Sequence, residues 1–335
     1  MIGVVVLSGY TVGMFSPVAT ALALESARGA LASLGTYLDV LILLACAAVL
    51  LALVVPALRT RLRPMLAALL GTLVLGEAAL IWFHVRLWQL CQLADPTTGA
   101  VTGGFAVPIW VESEKLYIWA LIVTALALGV KRHGTELRPM LAVGAIGLAA
   151  GAVLLGRPFA EPLPDFFAQY NAFLSAWQSG DINMTYGAFR GAEASRLYYY
   201  NAWYMWVHPP LLFFSYGAFV VSFAATVLMV ARRRSSFEQT AYRWARLGYL
   251  PLTLGMVVGM PWAIIAWAGD AWWWSGKVNM SIMMWVLYTA YLHSRLYLRR
   301  RGLWKVVAAL AILSFVALVL TYITTYIVPG AHSVA

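Results

Sequence analysis

Runs of about twenty apolar residues recur along this chain, and short arginine-rich connections close every second one of them. A helix that crosses a bilayer needs about 20 apolar residues, because the hydrocarbon core is about 30 Å thick and a helix rises 1.5 Å per residue. By that measure nine spans are expected, at residues 2–24, 34–58, 65–91, 106–130, 139–156, 207–231, 247–268, 281–299 and 303–328. Only 11% of the 335 residues are charged, against roughly 25% in a soluble domain. The fold class is therefore all-α, a polytopic integral membrane protein with a single membrane domain over 1–335. The run at 2–24 ends in ATALALES, which is faintly like a signal-peptide cleavage region. No Lys or Arg precedes it, so it reads as a retained first helix.

The placement of the basic residues sets the expected orientation. Sixteen of the 23 fall in four connections, around Arg59–Arg63, Lys131–Arg138, Arg232–Arg246 and Arg295–Lys305. With nine spans all four lie on one side, which the positive-inside rule makes cytoplasmic. The N-terminus is then inside and the tail VPGAHSVA outside. The net charge of +10 is accounted for by these loops, so the lipid bilayer is the partner it implies and nucleic acid is not. The connections expected outside are a short one near Glu25–Ser33, the stretch CQLADPTTGAVTGG after Cys91, a long loop over 157–206, and a tryptophan-rich loop within 261–295. The long loop is aromatic but broken by Pro and Gly, so short helices and coil on the outer surface are expected. Cys46 and Cys91 form no CxxC, CxxCH or zinc spacing, which excludes a paired-cysteine oxidoreductase and a c-type cytochrome.

The stretch PWAIIAWAGDAWWWSGKVNMSIMMWVLYTAYLHSR, residues 261–295, sets two apolar segments around Trp267, Trp272, Trp273 and Trp274. Tryptophan is common at membrane interfaces, yet three in a row followed by Ser-Gly-Lys exceed an ordinary aromatic belt. His208 opens the sixth span in WVHPPLLFFSYGAF, and His332 lies just past the ninth. Both are expected at the height of Trp272–Trp274. Alone, each reads first as an interfacial side chain with a wet tip. Together, two imidazoles across an aromatic platform are what a flat haem needs for its two axial bonds. His293 sits within the eighth span, roughly 18 Å below the outer face at 1.5 Å per residue, too deep to share that iron. It serves a second haem with a ligand from another chain, or is a buried histidine bonded to a neighbouring helix. His84 lies about 10 Å from that depth by the same reckoning, and His133 is expected to be solvated. Glu112, Glu114 and Lys115 are expected to neutralise one another locally, while Asp39 and Glu77 fall inside spans with no partner that the sequence identifies.

In their order, IWVESEKLYIWAL, RPF, HPPLLFFSYGAFVVSFA, LGMVVGMPWAIIAWAGDAWWW, YLHS, RRGLWKVVAALAILSF and GAHSVA resemble a family. From about Phe105 onward the chain is similar to the haem-handling proteins of cytochrome c biogenesis, the group containing CcmF, CcmC and CcsA (ResC). The resemblance implies a cytoplasmic (inner) membrane protein that holds haem b at the outer face. His208 and His332 would be the iron ligands there, and Trp267, Trp272, Trp273, Trp274 and Lys277 the surrounding site. His293 matches the family's membrane histidine, whose partner another membrane subunit would supply. The partner at the outer face would be apocytochrome c, whose CxxCH thiols add to the haem vinyl groups, making the chain a cytochrome c haem lyase (synthase) subunit. Two departures stand out. The acidic residues of the family's tryptophan motif are replaced by Ser275-Gly276-Lys277-Val278-Asn279, and the chain stops after His332, like CcsA in length or like a split CcmF. The other classes open at this point are a haem-b electron-transfer subunit linked to quinol, and a haem-free transporter or scaffold relative, the transporter motivated by Asp39 and Glu77.

Overall fold

The computed structural model describes residues 16–269, 271–295 and 303–328. They form an almost wholly helical molecule, as the apolar runs require, since a backbone in hydrocarbon must satisfy its own hydrogen bonds. Helix α1 spans Pro17–Val54 and, after a 3₁₀ turn at Pro56–Arg61, α2 spans Leu62–Leu90. A two-residue hairpin, β1 (Leu93–Ala94) with β2 (Val101–Thr102), follows. Then come α3 (Lys115–Gly129), α4 (Gly134–Gly151), α5 (Pro164–Ser179) and α6 (Ile182–Ser195). Helices α7 (Tyr204–Arg232), α8 (Ser236–Ala266), α9 (Gly276–Ser294) and α10 (Leu303–Ile327) complete the fold.

Among the described residues, six helices have the length and apolar character to cross a membrane, and α3 is a shorter apolar one. The polytopic all-α class is thus borne out. The first two expected spans differ from what the structure holds. Residues 1–15 lie outside the described residues, and the connection expected near Glu25–Ser33 is absent because α1 runs straight through it. Its sequence there, LALESARGALASLG, is rich in good helix formers. Arg28 bonds Glu25 one turn back, and Ser33 donates to the carbonyl of Gly29. At 38 residues α1 is roughly 57 Å long, about twice what one crossing needs. Its N-terminal part packs on α5, with the Arg28 guanidinium 4.9 Å above the Phe167 ring.

Helices α1–α4 form one packed group and α7–α10 another, joined where α3 and α4 meet α7. Three of the basic connections meet at one end. Arg132 donates to Gln239 at 2.9 Å, Arg234 reaches Glu136 at 3.3 Å, and Arg295 pairs with Glu238. Those contacts join the α3–α4 connection, the start of α8 and the end of α9 into one face. At the opposite end lie the 157–206 segment and the tryptophan loop. Here α4 ends in a wide π turn, from which Arg157 and Leu163, both with left-handed backbone (φ +47° and +50°), turn the chain into α5. Such backbone costs about 1–2 kcal/mol per residue; burial of Leu163, fully inaccessible, offsets it.

Candidate functional site

The local chemistry of His208 starts with the two prolines that follow it. Pro209 lacks the N–H that would bond the carbonyl of Met205 four residues back. That carbonyl instead accepts from Trp110 Nε1 at 2.6 Å. The opening of α7 is thereby tied to the extended segment before α3. Asn201 makes the same tie, accepting from the Ala106 amide at 2.9 Å and donating to the Gly104 carbonyl at 3.3 Å.

His208 Nδ1–H donates to the carbonyl of Gly255 at 2.7 Å. A carbonyl only accepts, so the bond fixes the neutral ring's proton on Nδ1 and leaves a lone pair on Nε2. Room for the ring comes from Gly259, one turn further along α8. A Cβ there would stand 2.5 Å from His208 Cε1 and Nδ1. The ring lines a cavity of about 860 Å³, at the large end of the usual ligand-site range, bounded by α7, α8, α9, α10, the start of α3 and residues of α5 and α6.

Tryptophans shape much of its wall, among them Trp110, Trp262, Trp267 and Trp272. Trp262 Nε1 donates to the Tyr198 carbonyl at 2.6 Å, and its ring meets that of Trp267 at 4.8 Å and 68°. Trp285 also lines the cavity, its Nε1 held by Thr253 Oγ1 at 3.0 Å. Trp273 and Trp274 are 51% and 74% exposed and stand outside it. The polar part is formed by Lys115, Asp165, Gln169, Ser195 and Lys277, with Lys277 within electrostatic reach of His208. Ser275 caps α9, accepting from the Val278 amide at 3.4 Å, and Gly276 lets α10 approach so closely that a Cβ would be 3.2 Å from Val328. The residues that depart from the family's acidic motif thus serve as a helix start and a close helix contact.

His332 lies outside the described residues, whose last, Val328, reaches that contact beside the tryptophan loop. His293 is not brought to the cavity. It is the penultimate residue of α9, seventeen after Gly276, and so roughly 26 Å along the axis, deeper than its expected place. It is exposed, and its Nδ1–H donates to the Thr289 carbonyl at 2.8 Å. His133 is partly covered, its ring 4.5 Å from that of Phe237. Glu114 does not pair with Lys115. It is fully buried and bonds His84 Nε2 at 2.7 Å. This pair was missed because its members come from the end of α2 and the turn before α3, and no sequence spacing records that contact; two ionisable residues of opposite kind near one membrane face were the only signal.

No three His, Cys, Asp or Glu side chains cluster as metal ligands among the described residues. The site residues fit a haem: an imidazole with its far nitrogen held by a carbonyl, flat aromatic walls, and lysines for carboxylates.

Residues 108–332 match the family described as cytochrome C assembly protein. The chain belongs to that family. The cytochrome c-type biogenesis protein CcmF of Haemophilus influenzae is 27% identical over 268 residues, covering 76% of this chain and 38% of the relative. CycK of Bradyrhizobium diazoefficiens, also named a cytochrome c-type biogenesis protein, is 36% identical over 113 residues, 32% of this chain and 17% of the relative. The cytochrome c biogenesis protein CcsA of Gloeobacter violaceus is 32% identical over 111 residues, 33% of this chain and 32% of its own. The matched stretch covers less than half the length of each of these relatives. Within the cytochrome c assembly family match fall His208, the tryptophan loop, His293 and His332; α1, α2 and the hairpin precede it.

Proposed function

We propose that this chain is a haem-presenting subunit of cytochrome c biogenesis. It holds haem at the outer membrane face between His208 and His332, against Trp262, Trp267 and Trp272, with Lys277 beside the haem carboxylates. The observation that carries the reading is the His208 Nδ1–H bond to Gly255, which leaves the Nε2 lone pair open on a ring lining a large aromatic cavity. Metal-bound histidines commonly donate their second nitrogen to a carbonyl in this way, which fixes orientation and raises ligand basicity. Contact of Val328 with Gly276 supports bringing His332, four residues on, to the same loop.

Haem supplies the vinyl groups that the two thiols of an apocytochrome c CxxCH site attack. The protein contributes position: a rigid ring on α7, walls that hold the porphyrin plane, and cations for its acidic edge. Proximity and orientation of this kind are worth several kcal/mol of barrier. Trp273 and Trp274, exposed beside the cavity, form the surface that the incoming polypeptide meets. His293, on the exposed side of α9 with Nδ1 engaged, is the ligand of a second haem b completed by another membrane subunit. The shared face of the basic connections is cytoplasmic by the positive-inside rule, in the cytoplasmic (inner) membrane, and the cavity is outside.

The test is a cytochrome c maturation assay in a strain that depends on this gene. His208→Ala with His332→Ala is expected to reduce covalently attached haem at least tenfold while the membrane protein stays at wild-type abundance. Normal maturation by the double variant would overturn the reading.

A further inference from the structure

Helices α2 and α3 run antiparallel, and their contacts form an ordered series. The Tyr117 hydroxyl donates to the Leu73 carbonyl at 2.8 Å. It also occupies the place beside Gly76, where a Cβ would come within 2.1 Å of it. Further along, Glu114 Oε1 accepts from His84 Nε2 at 2.7 Å. Glu77 stands between these two contacts. Both of its carboxyl oxygens are buried without a hydrogen-bond partner, as is Glu114 Oε2. Glu77 is within electrostatic reach of both Glu114 and His84.

A fixed structural ion pair needs only His84 and Glu114. Glu77 adds a second carboxyl to a site where Glu114 is fully inaccessible and His84 is 7% exposed. Two ionised carboxylates with one imidazolium leave an uncompensated charge among apolar side chains, and buried oxygens without partners are costly. One proton on a carboxyl oxygen brings the three groups to neutrality. The other charged or titratable groups facing this cluster are Tyr117 from α3, Asp39 from α1, and Arg157, which acts on Asp39 from the end of α4. Asp39 Oδ1 is also buried without a partner, and Gly35, one turn before it, packs directly on Phe159. The cluster thus lies near the end of α4 where the chain leaves the helix bundle.

We propose that Glu77, His84 and Glu114 form a buried proton-exchange site, whose ligand is one proton held on a carboxyl group of the cluster. On uptake, a proton from the outer aqueous side forms an O–H bond on a carboxylate oxygen, and the cluster passes from one net negative charge to none. On release the reverse occurs. The site stands one wall from the cavity: Trp110, Val111 and Lys115 line the cavity while Glu114, between them in sequence, turns into α2. Charge changes in the cavity are therefore felt by the cluster. The inference does not depend on what the cavity binds.

The experiment is pH-step infrared difference spectroscopy on the full chain without haem, in lipid nanodiscs, with ¹³C-labelled glutamate. A protonated-carboxyl stretch that grows as pH falls from about 8 to about 5, and moves with the glutamate label, is expected. Glu77→Gln abolishes it, and Asp39→Asn leaves it in place. Should Glu77→Gln fail to fold, Glu77→Asp serves instead: the band remains but loses part of its isotope shift, since the aspartate is unlabelled. A wild-type protein with no pH-dependent glutamate band overturns the proposal, as does a labelled band that survives both Glu77→Gln and Glu114→Gln. Because the measurement uses haem-free protein, its failure leaves the haem-presenting reading untouched, and loss of that reading leaves this one standing.

Discussion

Gly259 and His208 are matched in size, and the match sets what each can be. With a methyl group 2.5 Å from the imidazole, the ring must turn, and the 2.7 Å bond to Gly255 breaks with it. Gly259→Ala is therefore expected to weaken haem binding by about 10-fold or more, the usual cost of losing a ligand's outer partner, with the helical content unchanged. A haem titration followed by absorbance checks this, and unchanged affinity would show that the carbonyl bond is irrelevant. His208 was legible in the sequence because a histidine before Pro-Pro at the edge of an apolar run stands out. Gly255 and Gly259 were not. Glycines are ordinary in membrane helices, and these two act only across the α7–α8 contact. Lys277 was legible as the cation after the tryptophans; Lys115 was not, because its nearness in sequence to Glu112 and Glu114 implies a local charge group, whereas the turn places Lys115 and Glu114 on opposite sides.

At the level of the element, the opening of α7 is held by a bond that a proline makes possible. Trp110→Phe removes the donor to Met205 and leaves a carbonyl without its partner, a loss of about 1–3 kcal/mol. A lower midpoint in thermal unfolding in detergent is expected, without loss of helical signal at low temperature; an unchanged midpoint would mean that water replaces the indole N–H. Helix α1 shows the limit of reading spans by hydropathy. Glu25 and Arg28 interrupt the apolar run and look like a connection, yet they bond one another along the surface of a continuous helix. A ruler set to bilayer thickness splits any helix that extends past the membrane onto other parts of the protein. The 106–130 span likewise begins nine residues before α3, since Gly103, Gly104 and Pro108 keep the chain out of helix until the turns that lead into Glu112–Glu114.

The whole molecule has a basic end, where three arginine-rich segments contact one another, and an aromatic end, where α5, α6, the tryptophan loop and the cavity lie. This polarity was the most legible property of the sequence, since sixteen of 23 basic residues already mark one side. What was not legible is that α1–α4 pack as a group with its own buried polar cluster, because helix pairing leaves no periodic signature. Both native cysteines are buried, so single added cysteines report topology cleanly. Ser235→Cys is expected to react with a membrane-impermeant maleimide only after the membrane is opened, and Thr98→Cys in intact cells; the reverse pattern would invert the orientation. The central claim is haem between His208 and His332, and the absorption spectrum of the purified protein, oxidised and reduced, tests it most directly. A low-spin bis-histidine haem spectrum in the wild type, lost at this site in His208→Ala with His332→Ala, is predicted. A wild-type protein purified with its partner subunits that carries no haem, or a double variant with an unaltered spectrum, would contradict the account.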